Sequence, residues 1–168
     1  MQNCYQFQFQ YKILNWDSED KSPGNKYDIP RPCIMALLKG SNDRKLIQPF
    51  LLDSGADRIF IKHDLAKLLG LRLSGNKKTI TTAGNPIKVF ESSIDISLVQ
   101  GDGSFNLGDK VYCYVFDEEK RNIPNIMGRL PLFDEFKVTF EQYKKFTTLT
   151  YRGHIFTRTK NKARKINK

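Results

Sequence analysis

Apolar and polar residues alternate near the start of the chain. Glutamine or lysine separates a series of apolar residues, which are Tyr5, Phe7, Phe9, Tyr11 and Ile13. A period of two places every second side chain on the same face of an extended strand. The pattern therefore predicts a half-buried strand. Because its polar face is glutamine and carries little charge, we expect another strand to pair with it.

Short apolar runs separated by turn residues continue through the rest of the chain. Single strands are predicted at residues 33–38, 46–52, 56–61, 93–99 and 110–116, and hairpins at 77–89 and 136–151. Leucines at helical spacing occur at 63–71, and one further helical turn is predicted at 130–135. Many short strands with frequent turns and one or two short helices indicate an all-β domain.

The basic charge is concentrated at one end of the chain. The formal net charge is +10 for 168 residues, but residues 143–168 contain nine lysines or arginines and no acid. The preceding residues carry only about +1, so the body of the protein is close to neutral. Residues 152–168 are predicted to form a basic, disordered tail. A tail of this kind could bind nucleic acid, although a solubilising terminus is the more common role.

Cysteine and histidine usage gives no indication of a metal site or cofactor. Cys4, Cys33 and Cys113 are far apart and odd in number, and His63 and His154 have no nearby partner of ligand type. These spacings predict neither a zinc site nor a disulfide framework, which suggests a reducing compartment. The chain shows no long apolar span and no signal-peptide pattern. We therefore expect a cytoplasmic protein with no membrane contact.

One apolar run leads directly into an acidic residue. Residues 50–52 are Phe-Leu-Leu, and Asp53-Ser54-Gly55 follows them. A strand that ends in a carboxylate, a hydroxyl and a glycine can hold a charged group rigidly at the floor of a cleft, because glycine permits the tight turn and serine can donate a hydrogen bond. Most such tripeptides are ordinary turns. The tripeptide alone therefore leaves both readings open.

Two further features follow this tripeptide in a definite order. They are the hairpin ITTAGNPIKV, with Gly84 at its tip, and the segment NIMGRLPLFDEF, which contains Gly128-Arg129. Together with LLDSGAD, these motifs resemble the retropepsin-like aspartic proteases, and the later KVTFEQ resembles the bacterial members. The resemblance covers about residues 27–151. It implies a retropepsin-like barrel there, with residues 1–26 as an N-terminal extension that contains one strand.

The resemblance also implies roles for individual residues. Asp53 would be the catalytic carboxylate, Ser54 would stiffen the two loops across a dimer axis, and Gly55 would allow the backbone to approach substrate. Asp57 would form an ion pair with Arg129. The implied substrate contacts are Ala56, Asp57, Ala83, Gly84, Asn85, Ile87 and Met127. Ile59 and Ile80 are further apolar candidates for pockets, although such residues more often belong to the core.

The single Asp-Ser-Gly motif bears on the number of subunits in the active protein. Peptide hydrolysis by this class needs one carboxylate as base and one carboxylic acid, and two carboxyl groups held close share a proton. The chain contains one such motif, and it is too short for two lobes. The resemblance therefore implies a symmetric homodimer in which each subunit supplies Asp53.

Three other interpretations remain open at this stage. The same fold could bind peptides without cleaving them. The basic tail, with its interleaved aromatic residues, could make nucleic-acid binding the main function. Finally, the N-terminal strand could fill a groove or extend the dimer sheet, so that its removal would change activity or assembly.

Overall fold

Strands dominate the secondary structure. The computed structural model describes residues 6–12, 30–41, 43–73, 75, 77–82, 85–117 and 123–152. Within these ranges the strands are β1 (Gln6–Gln10), β2 (Cys33–Lys39), β3 (Lys45–Leu52), β4 (Ile59–Ile61), β5 (Lys78–Thr82), β6 (Asn85–Gln100), β7 (Gly103–Phe116), β8 (Asn125–Met127), β9 (Phe136–Glu141) and β10 (Phe146–Tyr151). The helices are α1 (His63–Leu68) and α2 (Leu132–Glu135). The predicted all-β class with short helices is confirmed.

Six of the strands close into a barrel. The larger sheet has the order β2-β3-β8-β4-β7-β6-β5, and β2 also pairs with β6 from Ala36↔Leu98 to Lys39↔Asp95. This second pairing joins the sheet to itself and removes the free edges of β2 and β6. Strand β5 stays outside the closed ring and pairs with β6 alone, as one arm of a hairpin.

Alternation along the barrel strands places one set of side chains in the interior. Fully buried members of this main core include Ile34, Leu38, Phe50, Ile59, Ile61, Ile94, Ile96 and Leu98. Each such side chain stabilises the fold by roughly 1.5–3 kcal/mol through removal of apolar surface from water. Residues between them point outward, so the barrel has a packed interior and an outer face available to other elements.

The N-terminal strand is part of a second, three-stranded sheet. Its order is β1-β10-β9, and β1 pairs antiparallel with β10 from Gln6↔Thr150 to Gln10↔Phe146. Phe7 and Phe9 are buried in the main core, while the intervening glutamines are exposed, as the alternation predicted. The strand therefore packs on the body of the same chain. The predicted boundary near residue 26 stays a prediction, because residues 13–29 lie outside the described residues.

Helix α1 closes one side of the barrel. Leu65, Ala66 and Leu69 are buried against the main core, and Gly70 follows at a φ of 64°, in the left-handed region that glycine adopts readily. The buried His63 ring lies with its Nδ1 2.9 Å from the Phe116 carbonyl oxygen, which fixes the start of the helix against β7. The predicted glycine cap is confirmed.

Buried cysteines contribute to the interior without forming a bridge. Cys33 and Cys113 are both buried and unpaired within the described residues, and Cys4 lies outside them. Burial raises the pKa of the Cys33 thiol to about 11 and that of Cys113 to about 12. Both thiols therefore stay neutral at ordinary pH and behave as small apolar side chains.

Several features of the sheet differ from the sequence prediction. Strand β6 runs unbroken from Asn85 to Gln100 and joins the second arm of the predicted hairpin at 77–89 to the predicted strand at 93–99. Strand β7 begins at Gly103, before the predicted strand at 110–116. Strand β8 was not predicted, because three residues inserted between two other strands are too few to show a period. Strand β4 is shorter than the predicted run at 56–61, since the chain is still turning at Asp57 and Arg58. In the described part of the chain, no helix has the length and apolarity needed to cross a membrane.

Candidate active site

Asp53 lies where strand β3 ends and the chain turns. Its backbone N–H donates to the Met127 carbonyl oxygen at 3.1 Å, so its position is tied to β8. The Gly55 N–H donates to Oδ1 of the Asp53 carboxylate at 2.8 Å. Among the described residues, the carboxylate has no further hydrogen-bond or ion-pair partner. One oxygen is thus held by the backbone, and the other is available to a ligand.

Strand β8 holds both sides of the Asp53 turn. It pairs parallel with β3 before the turn, from Phe50↔Asn125 to Leu52↔Met127, and antiparallel with β4 after it, at Phe60↔Ile126. Since the two strands that flank the turn share one neighbour, the turn is anchored at both ends. This arrangement brings the predicted Asp53 and Gly128-Arg129 motifs together.

The backbone after β8 also binds the Asp53 turn through hydrogen bonds. The Arg129 N–H donates to the Ala56 carbonyl oxygen at 2.8 Å, and the Leu130 N–H donates to that of Asp57 at 3.0 Å. Gly128 lies so close to the turn that a Cβ there would be 2.3 Å from the Arg58 carbonyl oxygen. Only glycine permits this approach.

Arg129 also contacts the turn through its side chain. Its Nε donates to Oδ1 of Asp57 at 3.1 Å, and a terminal guanidinium nitrogen reaches the same oxygen. The guanidinium lowers the pKa of the Asp57 carboxyl and the carboxylate raises that of Arg129. Both side chains are more than half exposed, so the pair contributes little to stability in the single chain. Its functional role stays a prediction.

Asn125 is a buried polar residue that sequence reasoning missed. It is 5% exposed, and its Oδ1 accepts a hydrogen bond from the Lys62 N–H at 3.0 Å. This bond links the start of β8 to the residue before α1. The only sequence signal was an amide directly before two apolar residues, which is too common to single out.

The predicted flap corresponds to the hairpin of β5 and β6. Thr82 pairs with Asn85, and Ile80 pairs with Ile87 two steps further from the tip. The proposed tip residues Ala83 and Gly84 lie outside the described residues. Pro86 faces Thr81 within the pairing, so the proline is accommodated in the hairpin.

A second apolar cluster lies on the outer face of the barrel sheet. Its buried members are Phe60, Ile87, Val89 and Phe116, and the partly buried residues packed against them include Ala56, Ile80, Tyr114 and Ile126. Ala56 comes from the Asp53 turn and Ile87 from the hairpin. The cluster, called here the groove cluster, thus joins the Asp53 turn to the hairpin of β5 and β6.

Two apolar pocket candidates lie in the interior of the barrel, and their contact with substrate stays a prediction. Met127 and Ile59 are both fully buried in the main core. Their chain neighbours Ile126 and Phe60 belong to the groove cluster instead. The reason is the period of two in a strand, which sends adjacent side chains to opposite faces. Ile80 and Ile87 do lie in the groove cluster.

The remaining candidates lie on the surface of the turn. Ser54 and Gly55 are exposed, and the Ser54 hydroxyl has no hydrogen-bond partner among the described residues. A Cβ at Gly55 would be 3.1 Å from the Asp53 carboxylate.

Within the described ranges, no group of three or more His, Cys, Asp or Glu residues could hold a metal ion. The basic tail from residue 153 onward lies outside those ranges.

Two solved structures are similar to this chain, and the first of them has the same fold. A retropepsin-like aspartic protease from Rickettsia conorii is 20% identical with a TM-score of 0.52, and the match covers 90% of this chain and 96% of that one. The EIAV protease complexed with the inhibitor HBY-793 is 23% identical with a TM-score of 0.41, covering 62% of this chain and 86% of that one. No curated protein sequence matches the chain significantly.

The family assignment comes from the sequence around the site. The aspartyl protease family matches residues 41–129, which is more than half of the chain. This range contains the Asp53 turn, the hairpin and the Gly128-Arg129 segment, which the fold brings together around β8 and the groove cluster. The chain belongs to the aspartyl protease family, and its fold is that of the retropepsin-like members.

Proposed function

We propose that this protein is an endopeptidase whose catalytic dyad consists of two Asp53 carboxylates, one from each subunit of a homodimer. The observation that carries the proposal is the placement of Asp53. Its carboxylate is held by the Gly55 N–H at 2.8 Å, and it lies in a turn that adjoins the groove cluster through Ala56. Membership of the aspartyl protease family supports the same chemistry.

The proposed reaction uses water as the nucleophile. The ionised carboxylate takes a proton from water, and the resulting oxygen attacks the carbonyl carbon of the scissile peptide bond. The protonated carboxyl donates its proton to the carbonyl oxygen, which gives a tetrahedral intermediate. The C–N bond then breaks while a proton moves to the leaving nitrogen. Two carboxyl groups held close suit these steps because they share one proton.

A dimer follows from the count of suitable carboxylates. The sequence contains one Asp-Ser-Gly, so one copy of the chain supplies one residue to the dyad. A twofold axis beside the turn would bring the two Asp53 side chains together and place each exposed Ser54 near the partner loop. The hydroxyl of Ser54 is available for a hydrogen bond across that axis.

The proposed substrate is an extended peptide. The hairpin and the Asp53 turn both contribute residues to the groove cluster, so a peptide strand lying along the cluster could form main-chain hydrogen bonds to both. Alternate substrate side chains would then contact the apolar residues of the cluster. Ile80 and Ile126 are partly buried members of the cluster on different strands and are candidates for this contact, while Ile87 is buried beneath them.

Replacement of Asp53 tests the mechanism. Asp53→Asn keeps the size of the side chain but cannot serve as the base, so peptide or casein cleavage should fall by at least about 10³-fold. Asp102→Asn, in an exposed turn between β6 and β7, is the matched control and should retain activity. Both variants and the wild type should elute as dimers in size-exclusion chromatography with light scattering.

The alternative outcomes separate the remaining possibilities. Equal cleavage by the wild type and Asp53→Asn would show that Asp53 is structural and the proposed dyad is wrong. A dimer that cleaves nothing would indicate a peptide-binding protein with this fold. A monomer that cleaves peptides would contradict the shared dyad.

A further inference from the structure

The groove cluster has a polar end that the proposed mechanism does not use. Four side chains form it: Arg58 beside the Asp53 turn, Tyr112 on β7, Glu91 on β6 and Lys78 on β5. The strand pairing places Phe60 beside Tyr114, while the interior positions Ile59 and Cys113 face the main core. Arg58 and Tyr112, each two residues earlier, therefore share the outer face with the groove cluster.

A row of aromatic rings, in tilted and edge-on contact, connects the groove cluster to this polar end. The Phe60 and Tyr114 ring centroids are 5.4 Å apart, and those of Tyr114 and Tyr112 are 5.3 Å apart. The guanidinium carbon of Arg58 then lies 5.3 Å from the centre of the Tyr112 ring. This stacking holds the long Arg58 side chain over a flat surface and reduces its freedom.

The other polar groups in this region are engaged with one another. The Lys78 ammonium and the Glu91 carboxylate are 2.5 Å apart, and the Tyr112 hydroxyl donates to the same Glu91 oxygen. Burial and the Glu91 hydrogen bond raise the pKa of Tyr112, so its hydroxyl stays protonated. The nearest acid to Arg58 along the chain, Asp57, forms its ion pair with Arg129, and the charge of Arg58 makes only a smaller contribution to the lowered pKa of Asp57.

Among the described residues, Arg58 is therefore a positioned cation that forms no ion pair. Within the described residues, its guanidinium has an aromatic ring as its neighbour and no carboxylate at ion-pair distance. A partly buried guanidinium retains donors for a carboxylate and can bind it through two parallel hydrogen bonds. An acidic side chain on a peptide lying along the groove cluster would supply the missing partner.

We propose that Arg58 is a specificity-determining residue that selects substrate peptides carrying aspartate or glutamate close to the scissile bond. The inference rests on the proposed function, because it places the peptide strand between the Asp53 turn and the hairpin. The apolar part of the groove cluster accepts apolar side chains, and Arg58 accepts one acid at its polar end. The preferred substrates thus combine apolar residues with one acidic residue at a fixed position.

The test compares the wild type with Arg58→Gln and Arg58→Glu on a randomised peptide mixture, with cleavage sites read by mass spectrometry. The wild type should favour Asp or Glu over Asn or Gln at one position by about tenfold, the value of one charge-assisted hydrogen bond. Arg58→Gln should remove the preference, and Arg58→Glu should favour Lys or Arg there. Lys88→Gln is the matched control, because Lys88 is exposed between two groove-cluster residues and faces away from them.

A binding arm separates this proposal from the protease proposal. The same mixture is passed over immobilised Asp53→Asn protein and over the Asp53→Asn/Arg58→Gln double variant. If the Asp53→Asn protein retains acidic peptides and the double variant does not, while the wild type cleaves nothing, the role of Arg58 is supported and the proposed hydrolysis is overturned. No acid enrichment in either arm, or enrichment that survives Arg58→Gln, would overturn the role of Arg58. If Arg58→Gln changes only the fraction of dimer and leaves the preference for acidic peptides intact, the role of Arg58 is also overturned.

Discussion

Gly128 lies directly against the backbone of Arg58, so close that no side chain would fit between them. A Cβ at Gly128 would be 2.3 Å from the Arg58 carbonyl oxygen and 2.7 Å from that of Ala56. Both contacts are to backbone, which cannot rotate away as a flexible side chain could. The close approach lets Arg129 and Leu130 donate hydrogen bonds to the turn that carries Asp53. The glycine therefore sets the position of the candidate catalytic loop.

Gly128→Ala should destabilise the protein and displace the Asp53 turn. We expect a loss of about 1–3 kcal/mol in the free energy of unfolding, because overpacking forces the backbone to move. Urea denaturation followed by circular dichroism measures the loss, and peptide cleavage should fall with it. Gly103→Ala is the milder comparison, since its Cβ would lie 3.2 Å from the Gln100 carbonyl oxygen. Equal effects of the two substitutions would contradict the close approach.

Strand β1 should be required for stability. Phe7 is 5% exposed in the main core, and its ring packs edge-on against Phe136 with centroids 6.1 Å apart. Phe7→Ala should therefore lower the free energy of unfolding by about 3–5 kcal/mol, as for other large core truncations. Gln6→Ala, on the exposed face of the same strand, should change it little. Thermal and urea unfolding of both variants checks the contrast.

Deletion of residues 1–12 extends this prediction to activity. If β1 were an inhibitory segment, its removal would raise cleavage of peptides. Because Phe7 and Phe9 belong to the main core, we expect a less stable protein with no gain in activity. A stable, more active truncated protein would show that the strand is regulatory and that its packing in the core is dispensable.

The Asp57–Arg129 pair should affect activity more than stability. Arg129→Gln removes the side-chain ion pair between the Asp53 turn and the segment after β8 and leaves the backbone hydrogen bonds in place. Cleavage should fall because the pair positions the turn, while the exposed pair contributes little to unfolding. Lys144→Gln breaks another exposed pair, with Glu141 at 2.9 Å, and should leave cleavage unchanged. Similar cleavage by the two variants would contradict a role for Arg129 in positioning the turn.

The stability difference from Arg129→Gln should also depend on pH in a defined direction. Arg129 lowers the pKa of Asp57 below its ordinary value of 3.8, so the unfolded chain takes up a proton first as the pH falls. The stabilisation is therefore complete above pH 3.8 and disappears as the pH falls through the lower value of the folded protein. Urea unfolding of both proteins over an acid series should show the two curves converge at low pH. Curves that differ above pH 3.8 and stay equally far apart at low pH would show that the difference does not come from this ion pair.

Local patterns along the chain determined much of this protein. Alternation of Phe7 and Phe9 with glutamine predicted β1, and the hairpin of β9 and β10 was predicted at its observed bounds. The leucine spacing and Gly70 predicted α1 and its end. Asp53, Gly128 and Arg129 were singled out in the sequence because turn residues and short motifs are encoded by neighbouring positions. The resemblance they support predicted the family, which the comparisons confirmed.

Contacts between distant segments were decided by the tertiary structure alone. Strand β8 has three residues and no period of its own, and it exists because β3 and β4 offer it hydrogen bonds on both sides. Ile126 and Met127 are equally apolar in the sequence, yet one faces the groove cluster and the other the main core. The contact between Arg58 and the Tyr112 ring likewise depends on the pairing of β4 with β7, which the sequence does not show. The face that a strand presents depends on which strands pair with it, and that pairing is set by residues far away in the chain.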